Sequence, residues 1–190
     1  MCAPGLSRAE VVATMSDIPL VSGEYFKRLS RREGSQLGDI WAVLDQVKDP
    51  EIPVLSIWDL GVLTDVEQQG DAIVVSITPT YSGCPAMDVI KDDIGLALEQ
   101  AGIRNSRVRL VLSPAWSTHM MSPEGLKNLE AYGIAAPLSG DDCRGKPCPI
   151  GCPHCGSKNT RIVSEFGSTA CKALYQCRDC LEPFDYFKKI

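Results

Sequence analysis

Residues Ala72-Ile-Val-Val-Ser-Ile-Thr-Pro-Thr-Tyr-Ser-Gly-Cys-Pro85 run from an apolar strand, through a turn punctuated by proline and glycine, to the first turn of a helix. Ile73, Val75 and Ile77 alternate and share one strand face. Leu60 to Glu67 and the turn Gln68-Gln69-Gly70-Asp71 precede them, so the whole reads as a β-hairpin. After it, Pro85 suits a first helical turn, and Met87, Ile90, Ile94, Ala97, Leu98 and Ala101 form one apolar stripe that Gly102 ends. Val108, Leu110 and Leu112 then alternate as a third strand. Upstream, Leu37, Ile40, Trp41, Leu44 and Val47 recur at helical spacing before Pro50 closes the element. The order α-β-β-α-β predicts a small α+β sandwich with helices packed on one face of a sheet, over residues 37–137. A less regular stretch after Pro114 holds Trp116, His119, Met120 and Met121, and a short helix follows around Pro123 to Tyr132.

A second module lies near the C-terminus. Cys152-Pro-His-Cys155-Gly156 and Cys177-Arg-Asp-Cys180 carry the spacing of a four-thiolate metal site, each pair aiming two sulfurs from a tight turn. Gly156 supplies the backbone freedom such a turn needs. Short strands are expected at 160–166, 173–176 and 183–187, which makes residues 151–190 a zinc ribbon. A segment of about 40 residues buries too little apolar surface to fold alone, so metal binding contributes on the order of 10 kcal/mol and the metal-free tail is expected to be disordered. A redox dithiol needs only one such pair and a strand-helix context absent here. Rubredoxin-like iron uses the same four sulfurs and is the alternative ion. Cys148 lies four residues before Cys152 and is an alternative ligand, although the regular spacing favours Cys152.

The remaining segments carry fewer signals. Residues 1–36 read as a flexible extension with a short helix around Glu24 to Leu29 and no assigned chemistry, and residues 138–150, rich in Gly, Pro, Asp and Cys, read as a linker. Across 190 residues the net charge is −5, which disfavours nucleic acid as the main partner. The nine cysteines, without an uninterrupted apolar core in residues 1–20, point to a reducing cytoplasm rather than a disulfide framework. No run of about 18 apolar residues is present to span a membrane.

The first domain places Asp49-Pro-Glu-Ile-Pro53 after its first helix and Cys84 at the N-terminus of its second. There, unpaired amides and the helix dipole are expected to stabilise a thiolate and lower its pKa. Such a sulfur suits a soft metal or an electrophile; the plain alternative is a small residue filling a tight turn. Asp49 and Glu51 flank a proline that directs both carboxylates from one loop, toward a metal or a partner, unless Asp49 only caps the turn and Glu51 is solvated. Thr80 either turns its hydroxyl to Cys84 or satisfies the turn. Cys171 is either a surface ligand or a strand-core residue. Trp41, Trp58 and Trp116 are expected to pack in the core or its rim, with Trp58, in Ser56-Ile-Trp-Asp59, the candidate for a client-facing surface.

These motifs, with Asp49-Pro-Glu-Ile-Pro-Val-Leu-Ser-Ile-Trp-Asp-Leu-Gly61, Pro79-Thr-Tyr-Ser-Gly-Cys-Pro-Ala86, Tyr132-Gly-Ile-Ala-Ala-Pro137 and Ser164-Glu-Phe-Gly-Ser-Thr-Ala-Cys-Lys-Ala-Leu-Tyr175, resemble the iron-sulfur assembly-factor domain and, more narrowly, the PaaD-like accessory proteins of phenylacetyl-CoA epoxidase systems. The resemblance covers residues 37–190. It implies a cytoplasmic maturation factor of aerobic phenylacetate degradation, not an enzyme, that assists iron-sulfur cluster assembly or insertion into the epoxidase system, above all its ferredoxin-type reductase subunit. General cluster-assembly proteins are further implied partners. It further implies cluster transfer or metal handling by Cys84 with Asp49, Glu51 and Thr80, structural zinc at Cys152, Cys155, Cys177 and Cys180, and a transient cluster or iron as cargo. Cys2, Cys143 and Cys148 fall outside the matched motifs. Two rivals remain: a ribbon scaffold that docks on the epoxidase complex without carrying a cluster, and a cysteine hydrolase using Cys84 with His119 as base.

Overall fold

The computed structural model describes residues 22–137 and 149–190. Helices α1 (Gly23–Glu33) and α2 (Gly38–Leu44) lead into strands β1 (Leu63–Gln69) and β2 (Ala72–Ile77), helix α3 (Ala86–Gln100) and strand β3 (Ser106–Leu110). β1 and β2 form the expected antiparallel hairpin, turning at Gly70 with φ of 65°. The crossover through α3 sets β3 parallel to β2, giving the sheet order β1-β2-β3. Every residue of β2 is buried, as befits a central strand. Its Ile73, Val75 and Ile77 meet Trp41 and Leu44 of α2 and Met87, Ile90, Ile94 and Leu98 of α3 in one core. This is the α+β sandwich read from the pattern. α3 begins at Ala86, one residue past Pro85.

A 3-10 turn (Thr118–Met120) and helix α4 (Pro123–Ala131) follow, with Ser122 capping α4 through its side chain on Gly125 N. Then β4 (Ile134–Ala135) leaves the first sheet and joins the C-terminal module. There, β5 (Thr160–Ser164), β6 (Lys172–Cys177) and β7 (Pro183–Phe187) pair antiparallel, and β4 lies parallel to β7, in the order β4-β7-β6-β5. Two cores result. Ala135, Ile150, Cys152, Cys177 and Phe184 cluster at the metal end, so Ile150, read as linker, packs with the ribbon. At the other end Cys171 and Phe187 are built into the core of the first domain.

Phe187 is fully buried and its ring lies 6.1 Å from that of Trp116. Thr118 N donates to Ile190 O at 3.1 Å across the junction, while inside the ribbon Lys188 N donates to Cys171 O at 2.9 Å and fixes Cys171 beside Phe187. The ribbon is therefore docked on the assembly domain by burial as well as by chain connection.

Residues 1–21 lie outside the described residues. The short helix expected around Glu24 to Leu29 is present as α1, longer than expected and capped by Ser22, and it packs on the domain where a flexible extension was expected. Arg28 is buried and donates to the carbonyls of Leu63, Trp58 and Met120, with its guanidinium 4.1 Å from the centre of the Trp58 ring. Burial pulls its pKa down to about 10, so it remains charged at neutral pH. The sequence concealed this because α1 buries a charged side chain rather than an apolar stripe.

Candidate functional site

The ribbon turns bring four sulfurs together. Cys152, Cys155, Cys177 and Cys180 have donor atoms within 4.8 Å of one another, the closest pairs being Cys152 with Cys180 at 3.7 Å and Cys155 with Cys177 at 3.6 Å. Sulfurs about 2.3 Å from a central zinc ion stand about 3.8 Å apart along each edge of a tetrahedron, so the group fits a structural metal ion. Local backbone bonds shape it. Gly156 N donates to Cys152 O at 2.8 Å with φ of 74°, the left-handed conformation expected there. The amides of Cys180 and Asp179 bear on Cys177 and draw its pKa down to about 7. Asp179 ties the two turns by accepting from Ser157 Oγ and from Asn159 Nδ2. Cys143 and Cys148 lie outside the described residues, as does Cys2.

A second constellation forms where the first domain meets the ribbon. Asp49, Glu51, Thr80 and Cys84 line one narrow cavity of about 10 Å³, together with the apolar side chains Ile52, Leu60, Val62, Met87 and Ile90. The structure thus brings all four expected residues of the Asp-Pro-Glu and Cys-Pro turns to one place. Asp49 is buried. Its Oδ1 accepts from Glu51 N at 2.9 Å and Ile52 N at 2.8 Å, so it caps the turn and faces the cavity at once. Burial raises the Asp49 carboxyl above its ordinary range, against the Ile52 and Glu51 amides and the Lys172 ammonium, and burial with the Asp49 charge raises Glu51 against Lys172.

Cys84 departs from expectation in its acidity. It is half-buried, and desolvation raises its pKa above that of an ordinary thiol, outweighing the Ala86 amide and the Thr80 side-chain hydrogen bond, both of which favour the thiolate. The helix terminus acts in the expected direction and loses to burial. The resting residue is therefore a half-buried thiol rather than an exposed thiolate.

Two ribbon residues complete the cavity, and the sequence placed neither of them there: Cys171, 5% exposed, and Phe187. Lys172, also buried, pairs with Asp185 at 3.5 Å. The order Thr-Ala-Cys-Lys carried no local signal of this contact, because the neighbourhood arises only from docking.

Two other expectations are corrected. Trp58 is not on a client-facing surface: it is 7% exposed, covered by Arg28 and Arg32 of α1, and edge-on to Trp41 at 5.6 Å. Its neighbour Asp59 is equally structural, accepting from Ser56 Oγ at 2.7 Å and Ser122 Oγ at 2.6 Å. His119 is exposed, does not line the Cys84 cavity, and meets Ser22 Oγ through its backbone carbonyl, so the hydrolase dyad is not assembled. No helix among the described residues is long and apolar enough to cross a membrane.

Comparisons with known proteins agree with this two-part construction. Residues 38–112 match the family described as iron-sulfur cluster assembly protein, and residues 139–188 match the PaaD zinc beta ribbon domain. An Escherichia coli (strain K12) protein, named as one of the subunits of a "Putative 1,2-phenylacetyl-CoA epoxidase", is 48% identical over 165 residues, 86% of this chain and 99% of its own length. Shorter relatives are an Fe-S protein maturation auxiliary factor of Porphyromonas gingivalis (strain ATCC BAA-308 / W83), 38% identical over 48% of this chain and 88% of its own, and the auxiliary factor YitW of Bacillus subtilis (strain 168), 34% identical over 44% and 83%. With an assembly domain in front, a ribbon behind, and a relative matched from end to end, the chain belongs to the PaaD family.

Proposed function

We propose that this protein is a non-catalytic maturation factor of a phenylacetyl-CoA epoxidase system, which handles iron or an iron-sulfur cluster at Cys84 and passes it to the ferredoxin-type reductase subunit. The observation that carries this reading is the convergence of Cys84, Thr80, Asp49 and Glu51 on one cavity. A donor set poor in sulfur, with oxygen ligands beside it, holds iron less firmly than a client offering four cysteines, so transfer runs toward the client. The relatives named as Fe-S protein maturation auxiliary factors, and the one named for the epoxidase, support both halves of the assignment. Cys152, Cys155, Cys177 and Cys180 hold zinc, which folds the metal end of the ribbon and takes no part in transfer. The protein works in the cytoplasm, where thiols stay reduced.

A scaffold reading has one specific observation in its favour. Ile162 and Val163 on the edge strand β5, with Phe166 just beyond its end, are exposed apolar groups available to a partner. Anaerobic metal analysis with absorption spectra separates the two. The transfer reading expects about one zinc in both wild type and Cys84→Ser, with iron or cluster in the wild type alone; the scaffold reading expects identical spectra.

A further inference from the structure

Cys84 does not face its cavity alone. Cys171 lines the same space from the ribbon, and it is held there by the Lys188 N bond to its carbonyl, by Thr169 Oγ1 at 3.1 Å from its sulfur, and by the full burial of Phe187. We propose that Cys171 is the second sulfur ligand of the Cys84 site, so that one thiophilic divalent cation is held between Cys84 on the assembly domain, Cys171 on the ribbon and the Glu51 carboxylate. The proposal rests on reading Cys84 as the metal-handling residue and deepens it, since the ribbon becomes part of the site.

Size decides the occupant. A cavity of about 10 Å³ has room for about one water-sized body, hence for a single ion and not for a four-iron cube while the ribbon is docked. Chemistry decides its class. Two sulfurs with one carboxylate suit ferrous iron or a similar borderline cation, and disfavour magnesium and calcium, which take oxygen ligands. Glu51 is the carboxylate available, because Asp49 Oδ1 already serves two amides.

Binding replaces one proton on each thiol, releasing two protons per divalent ion, and the two thiolates with Glu51 leave one net negative charge. The buried Lys172 ammonium, next to Cys171 in the chain and shared with Asp185, acts on Asp49 and Glu51 and so attracts that charge in part. Among the described residues only the ribbon quartet has three or more donors already within 4.8 Å, so the second site closes on its ion, and closing fastens the ribbon to the domain.

The test is anaerobic titration of the full-length, zinc-loaded protein with Co²⁺, a spectroscopic stand-in for Fe²⁺, with zinc content followed to show that the ribbon keeps its metal. The wild type is expected to bind one Co²⁺ with the sulfur-to-cobalt absorption of two thiolates. Cys84→Ser and Cys171→Ser should each show about half that intensity and bind at least about tenfold more weakly. Cys171→Ala, which keeps the buried position apolar, must behave as Cys171→Ser does, with thermal melts confirming that both fold. If both Cys171 variants keep the wild-type spectrum and affinity while Cys84→Ser loses them, the two-sulfur site is overturned and the role of Cys84 stands. Absence of cobalt uptake outside the ribbon in the wild type overturns the proposal outright.

Discussion

Phe187, three residues before Ile190, packs its ring 6.1 Å from that of Trp116 at 60° and is completely buried between two modules that the sequence presents as separate. It is the largest fully buried ribbon side chain at the junction. Phe187→Ala should cost about 3–5 kcal/mol, because a buried aromatic leaves a cavity that its neighbours fill only in part. The variant should also expose Cys171 to thiol reagents. Thermal denaturation and alkylation mapping check both effects, and an unchanged melting temperature with Cys171 still protected would refute the docking.

Arg28 ties α1 to the rest of the domain through three backbone carbonyls. Arg28→Met keeps much of the stem packing but removes the bonds to the Leu63, Met120 and Trp58 carbonyls, of which Trp58 O keeps a bond from Gly61 N, so stability should fall by on the order of 3 kcal/mol. Chemical denaturation measures it. Arg31→Met, three positions further along the helix and without those bonds, should change stability by less than about 0.5 kcal/mol.

Asp49 is kept at a cost that pH exposes. Its native pKa is raised, chiefly by burial, so the folded state holds the proton more tightly than the unfolded chain. Stability contributed by this group therefore falls as pH rises from the unfolded value of about 3.9 through the raised native one. Asp49→Asn retains an oxygen for the amides of Glu51 and Ile52 and carries no charge. It should be as stable as the wild type or more so at neutral pH, the difference shrinking on acidification, while maturation activity drops. Denaturation curves at several pH values, read beside a maturation assay, would instead assign Asp49 a purely structural role if activity persists.

Chelation should act locally. Removing the metal frees four thiols at the outer end of the ribbon, whose small core holds five buried apolar residues among the described ones, whereas Cys171 and Phe187 belong to the larger core. Hydrogen exchange should show lost protection at Gly156 and Cys177 and retained protection along β2. Retained protection at Gly156 and Cys177 in fully metal-free protein would contradict a folding role for the ion.

The hairpin, α3 and the four ribbon sulfurs were legible because each follows from local periodicity or spacing: alternation in 72–77, the stripe from Met87 to Leu98, and two residues between each pair of thiols. Asp49, Glu51, Thr80 and Cys84 were legible as two turns, though not as one cavity. What stayed hidden depends on contacts distant in sequence. Arg28 becomes structural only when Leu63, Trp58 and Met120 offer carbonyls to it, and Trp58 looks like a surface residue until α1 covers it. The Cys84 thiol was expected to be acidic from its helix terminus, and the desolvation that reverses this comes from a cavity wall that includes Cys171 and Phe187.

The most direct test is the cluster content of the reductase subunit purified after co-expression with this protein, either wild type or Cys84→Ser. With the wild type the reductase should carry a full complement of iron and the visible absorption of an assembled cluster, and with the serine variant it should be poor in both, the variant's own zinc and fold being intact. Equal cluster content in the two preparations would contradict it.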